Sequence, residues 1–133
     1  IANGVIKTNK NNLLGDRLNK IFNELNDVCD LHKPNMIAIE KIFVNTNPES
    51  SLKLGQARGI GFLIAARRKI DIYEYTANQI KKNIVGYGHA SKTQILSILN
   101  KIFPEVFIVN EDSADALAVA ICHSMNSNVK IKL

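Results

Sequence analysis

The 133-residue sequence has no tryptophan, only three prolines and two cysteines, and no apolar run long enough to cross a bilayer. A helical span needs about 20 apolar residues; the longest stretch here, residues 59–66, is closed by Arg67, Arg68 and Lys69. No membrane partner is expected. Cys29 and Cys122 lack a CxxC spacing and fall at apolar positions of helical patterns. They read as small core residues in a reducing compartment and not as a disulfide or zinc ligands. No stretch combines a basic start, an apolar middle and a small-residue cleavage site, so a cytoplasmic protein is expected. Internal repeats, low-complexity tracts and linkers are also missing, which favours one domain over residues 1–133. The chain opens on Ile1 and not on methionine; the expectation is that this domain is N-terminally truncated.

What is present is ordinary globular material, 46% apolar and 22% charged, with a net charge of +5. The average conceals a pattern. Residues 50–70 hold no acid but carry Lys53, Arg58, Arg67, Arg68 and Lys69. Residues 75–104 are likewise free of acid, with Lys81, Lys82, Lys92 and Lys101, whereas Glu105, Glu111, Asp112 and Asp115 crowd together just after. Two basic blocks beside a compact acidic cluster point to a polyanion bound around a cation site.

The periodicities predict a strand at residues 1–8, then a helix carrying Leu14, Leu18, Phe22, Leu25 and Cys29 that Pro34 ends. Residues 36–40 read as a short buried strand finishing on Glu40. A helix follows from Pro48 or Ser50 to about Lys69, and residues 70–75 alternate as a strand. Thr76 with Gln79, and Ser91 with Gln94, form capping boxes for two helices separated by a Gly86–Gly88 loop. The last helix is expected at residues 114–124, and residues 127–133 as a loose tail. This order implies an α/β domain with a mixed or parallel sheet flanked by helices.

Glu40 stands at the carboxyl end of a strand, where open α/β sheets bind ligands, although a strand leaving the core also ends naturally on a solvated charge. Asp112 and Asp115 share one face of a first helical turn. They serve equally well as an N-cap and a first-turn acid complementing the helix dipole. Together, three carboxylates without a His or Cys companion select a hard divalent cation, Mg²⁺ or Mn²⁺, over zinc. Two such ions roughly 4 Å apart hydrolyse phosphodiesters, and neighbouring lysines would hold the strand by its phosphates. His32 reads as structural or solvated, and His89, in the glycine loop beside Lys92, as either a phosphate contact or simply exposed. His123, about two turns beyond Asp115, either supports the site from behind or fills its flank.

Several stretches carry a more specific signal: Ile37-Ala38-Ile39-Glu40-Lys41-Ile42-Phe43, Ser51-Leu52-Lys53-Leu54-Gly55-Gln56-Ala57-Arg58-Gly59, Tyr73-Glu74-Tyr75, Gln79-Ile80-Lys81, Val85-Gly86-Tyr87-Gly88 with Ala90 and Lys92, and Asp112-Ser113-Ala114-Asp115-Ala116-Leu117-Ala118. In that order and spacing the chain resembles the RuvC family of Holliday-junction resolvases along nearly its whole length. The resemblance implies a ribonuclease-H-like fold and a homodimer, joined through the helix near residues 50–67, that nicks opposed strands of a four-way DNA junction in recombination and repair. It puts Glu40, Asp112 and Asp115 on the metal-binding catalytic carboxylates and implies Mg²⁺, with Mn²⁺ as the other option and two ions per site. It puts Phe43 on the aromatic that inserts near the crossover, and Lys81 and Lys92 on phosphate-contacting positions. A branch-migration helicase complex is the implied partner. A C₂ dimer suits a nearly two-fold junction, one site for each opposed strand.

The family also carries an Asp on its first strand, in a Gly-Ile-Asp-Pro-Gly-like motif, and no such motif occurs in these residues. Residues 1–8 match the family's third strand, so the first two strands and a fourth carboxylate are expected upstream. Asp16 is no substitute. The residues given are therefore expected to cleave poorly alone. Two other readings remain open at this stage: a junction-binding module without chemistry, and a ribonuclease-H-like nuclease acting on a different nucleic acid.

Overall fold

A computed structural model describes residues 1–44 and 47–127. The elements run α1 (Leu14–His32), β1 (Met36–Glu40), α2 (Pro48–Arg68), β2 (Asp71–Tyr75), α3 (Ala77–Val85), α4 (Lys92–Ile102) and α5 (Glu111–Asn126). Strands and helices alternate through the first half and three helices close the chain, as the sequence patterns predict. The chain divides into two compact units: Ile6–Tyr73, and Ile1–Val5 together with Glu74–Leu133.

In the Ile6–Tyr73 unit, α1 packs on α2 and α2 on β1. Gly61 makes the second contact close, since a Cβ there would stand 3.5 Å from Ile39 Cδ1. Arg68, near the end of α2, binds back to α1: its guanidinium donates to the Asn26 side chain and carbonyl oxygens and lies 2.8 Å from an Asp30 carboxylate oxygen. Both helices end on left-handed residues, Lys33 (φ 46°) and Lys69 (φ 56°), whose N–H groups return to carbonyls of the last turn. Pro34 directly follows the first of these, where helix continuation is blocked. β1 pairs with β2 in a two-stranded sheet.

The second unit holds α3, α4 and α5, each packed on the other two. Both expected capping boxes form with reciprocal bonds, Thr76 with Gln79 and Ser91 with Gln94. Gly86 ends α3 at φ 94°, a conformation open to glycine at little cost. α5 is the buried element, with Ser113, Leu117, Ala118, Ile121, Cys122 and His123 all withdrawn from solvent. Among the described residues no helix is long and apolar enough to cross a membrane.

Two expectations change. Residues 1–8 are not a strand. A segment makes a strand only where a neighbour supplies a ladder, and here residues 1–5 are anchored by the Asn3 side chain, which bonds the backbone of Phe107 and Val109. α5 begins at Glu111, before the apolar residues that marked it in the sequence, and its N-cap is Asn110 and not Asp112. Polar residues in a first turn interrupt hydrophobic periodicity without interrupting the helix. Of the expected tail, residues 128–133 lie outside the described residues.

Candidate active site

α5 begins with a closed circuit of hydrogen bonds. The Asn110 side-chain oxygen accepts from Ser113 N–H, the Ser113 hydroxyl accepts from Asn110 N–H, and the same hydroxyl donates to the Asn110 carbonyl, all within 2.9–3.0 Å. Ser113 is almost completely buried. Because Asn110 and Ser113 do the capping, neither Asp112 nor Asp115 is needed for it. Asp112 is exposed and Asp115 half-exposed, three residues apart and so neighbours on one helix face.

Lys92, the first residue of α4, reaches this turn. Its Nζ lies 3.2 Å from a Glu111 carboxylate oxygen and 4.0 Å from one of Asp115. The Glu111 hydrogen bond first, then the charges of Asp115 and Asp112, hold the Lys92 ammonium above the ordinary lysine range. Beside it opens a cavity of about 350 Å³ whose walls include Ile95, Leu96, Ile108 and Ala114, with Lys92 and Asp115 among its polar residues. Lys81 sits on α3, half-buried.

His123 is buried on α5, with Nδ1 2.7 Å from the Tyr75 hydroxyl at the end of β2. Eight residues separate it from Asp115, about 12 Å along a helix axis, so its described bond ties α5 to β2.

In the other unit, Glu40 ends β1 with an exposed side chain. Its carbonyl accepts from Arg58 Nε at 3.2 Å, and the Arg58 guanidinium lies over the Phe62 ring, 4.9 Å from its centre. Arg58 thereby ties the strand end to α2. Phe43 is 63% exposed, so it does not cover the sheet end as a core residue would. On α2, Leu52 and Leu54 are exposed, and a Cβ on Gly55 or Gly59 would meet nothing within 4 Å.

Sequence reasoning missed Glu111, Arg58 and Tyr75 as partners of site residues. Glu111 was visible only as one acid of a cluster and Arg58 as one base of a block. The Tyr75 bond spans 48 residues of sequence, a separation no local pattern reports. Among the described residues, no group of three or more His, Cys, Asp or Glu side chains is gathered to hold an ion. The donor chemistry still suits a hard cation: the candidates are carboxylates, and those on α5 are not consumed by capping.

Two structures of *Thermus thermophilus* RuvC resemble the chain closely. One is of the protein itself (TM-score 0.87) and one is of its complex with a Holliday junction substrate (0.88). Each is 26% identical and covers 96% of this chain and 78% of the solved one. Fold and site together define an α/β domain of the ribonuclease-H-like class. The family model for crossover junction endodeoxyribonuclease RuvC matches residues 1–123. The RuvC of *Ehrlichia canis* is 42% identical over 128 residues, covering 96% of this chain and 82% of that protein. That of *Wolbachia pipientis* wMel is 47% identical over 124 residues, covering 93% and 76%. The chain belongs to the RuvC family.

Proposed function

We propose that this chain is a nuclease domain, spanning residues 1–133, that resolves four-way DNA junctions by metal-dependent hydrolysis of phosphodiesters in opposed strands. Glu40, Asp112 and Asp115 would hold Mg²⁺ or Mn²⁺, two ions per site. When bound, such ions supply Lewis acidity and an activated water. Lys81 and Lys92 bind phosphate, which sets register on the DNA without reading sequence. Phe43 offers an exposed ring for a base unstacked at the crossover. His123 supports the site through the position of α5. The face of α2 bearing Leu52, Gly55 and Gly59 joins two copies, giving each of two opposed strands its own site, and a branch-migration helicase complex delivers the junction.

The observation that carries the reading is the first turn of α5. Asn110 closes the helix end, which leaves Asp112 and Asp115 available on one face with Lys92 beside them. The N-terminal end of a helix is an expensive place to put a lysine and a good place to meet phosphate.

On this reading residues 1–133 cleave poorly without the upstream Asp, so the test uses the full-length protein and compares nicking of a four-way junction, a linear duplex and an RNA–DNA hybrid in Mg²⁺ by the wild type, Asp112→Asn and Asp115→Asn. Junction-selective nicking that both variants lose while still binding the junction is expected. Equal cutting of all three substrates, or undiminished cutting by either variant, refutes the assignment.

A further inference from the structure

Lys92 and Glu111 open two different helices, α4 and α5, that pack together in one unit. A lysine in a first turn faces the positive end of its helix dipole, and here the start of α5 adds a second. Glu111 offsets the cost at 3.2 Å, while the Asp115 carboxylate stands 4.0 Å away. The Lys92 and Glu111 side chains are 68% and 77% exposed. An ion pair this open is weak and exchanges readily.

We propose that Glu111 is a positioning residue that holds Lys92 beside Asp115 and competes with DNA phosphate for it. The inference rests on the reading of Lys92 as a phosphate ligand. An arriving phosphate must displace Glu111 from Lys92 and tolerate a carboxylate left nearby. Contacts too poor to do both are rejected, so Glu111 lowers affinity for every phosphate and leaves bound only DNA seated well enough to take Lys92 over. Like-charge juxtaposition is a general means of suppressing wrong partners.

The experiment is a double-mutant cycle on junction binding and saturated cleavage by the full-length protein, using wild type, Glu111→Gln, Lys92→Met and the double variant, each across a salt series. Glu111→Gln should bind the junction about two- to fivefold more tightly, the scale of one exposed ion pair. The logarithmic salt dependence should steepen by about one phosphate contact, a slope change of roughly 0.9. KM should fall with kcat unchanged within about twofold, and Glu111→Asp should restore wild-type affinity in part. In the Lys92→Met background Glu111→Gln should tighten binding far less than in the wild type, by no more than the residual repulsion of one exposed carboxylate, and should leave the slope nearly unchanged. Equal tightening with and without Lys92 would reduce Glu111 to a general repulsive charge and overturn the proposal, as would no tightening at all. Failure of the wild type to prefer a junction over duplex would instead strike the functional reading beneath it. Both side chains are exposed, and unchanged thermal melting confirms that all variants remain folded.

Discussion

The hydroxyl of Tyr75 and Nδ1 of His123 meet at 2.7 Å inside the protein, fastening the end of β2 to the middle of α5. The bond fixes how far α5 can slide or turn about its axis, and with it the direction in which Asp112 and Asp115 emerge at its start. Tyr75→Phe keeps the ring and removes this bond from a buried site. The variant should lose about 1–3 kcal/mol, seen as a lower urea midpoint with an unchanged slope. An unaltered midpoint would mean the bond carries no stability.

Asn110 carries the cap that frees the two aspartates. Replacing it by Ala removes the acceptor for Ser113 N–H and should cost about 1 kcal/mol. The first turn of α5 should fray before the remainder, so amide exchange at residues 111–114 ought to quicken more than at residues 118–122. Uniform quickening along the helix would count against a local role.

Asp112→Asn and Asp115→Asn should reduce nicking by more than the roughly 10- to 100-fold typical of losing a group that only supports a metal ligand. Measured junction affinity should change little beyond the gain expected from removing a negative charge near phosphate.

Burial raises the Cys122 thiol pKa above its usual value, with hydrogen bonds from Asn83 and Asn126 opposing the shift in part. The folded state then keeps a proton that the unfolded chain releases as pH climbs through the ordinary thiol range. Unfolded molecules bind fewer protons there, so stability falls with rising pH. Wild type should therefore lose more stability than Cys122→Ala between pH 8 and about 10, read from urea midpoints at each pH. Parallel curves would assign the alkaline loss elsewhere.

Gly59 lies mid-helix on α2, where a Cβ meets nothing within 4 Å in a single chain. Gly59→Ala should stabilise an isolated subunit by up to about 1 kcal/mol through helix propensity. If α2 joins two copies, Gly59→Leu should weaken association in sedimentation without unfolding the subunit. Unweakened dimers would place the joining surface elsewhere.

Local chemistry was legible in the sequence. Thr76 and Gln79, or Ser91 and Gln94, announce a helix start because three residues of spacing suffice to close the reciprocal bonds. Pro34 and Gly86 mark ends for equally local reasons, and β1 was visible as a five-residue apolar run finishing on Glu40. The start of α5 was misplaced because Asn110 and Ser113 cap it with a pairing less conspicuous than Ser with Gln, and because Glu111 and Asp112 hide the apolar rhythm. A strand at residues 1–8 was expected from a short local reading and from the family resemblance, neither of which reports whether a partner strand is present. The bonds of Tyr75 with His123 and of Lys92 with Glu111 depend on the tertiary packing of helices, so no window of sequence contains them. The family motifs pointed to Glu40, Asp112 and Asp115 individually, whereas the bond network around Asn110 emerges only in the folded chain.

The Asn3 carboxamide donates to the Phe107 carbonyl at 2.8 Å and accepts from Val109 N–H at 3.0 Å. Those are the two bonds that a strand residue opposite Ile108 would make with its own backbone, so one side chain impersonates a peptide group. It also closes a loop of more than a hundred residues. The unit containing α3, α4 and α5 includes Ile1–Val5, and during synthesis Asn3 waits for its partners Phe107 and Val109 to appear. Closing so long a loop adds only a slowly growing entropic cost, but it sets an order of events. A chain whose synthesis stops before Phe107 leaves the Asn3 carboxamide without these two partners, and the segment leading into α5 without its tie to residues 1–5.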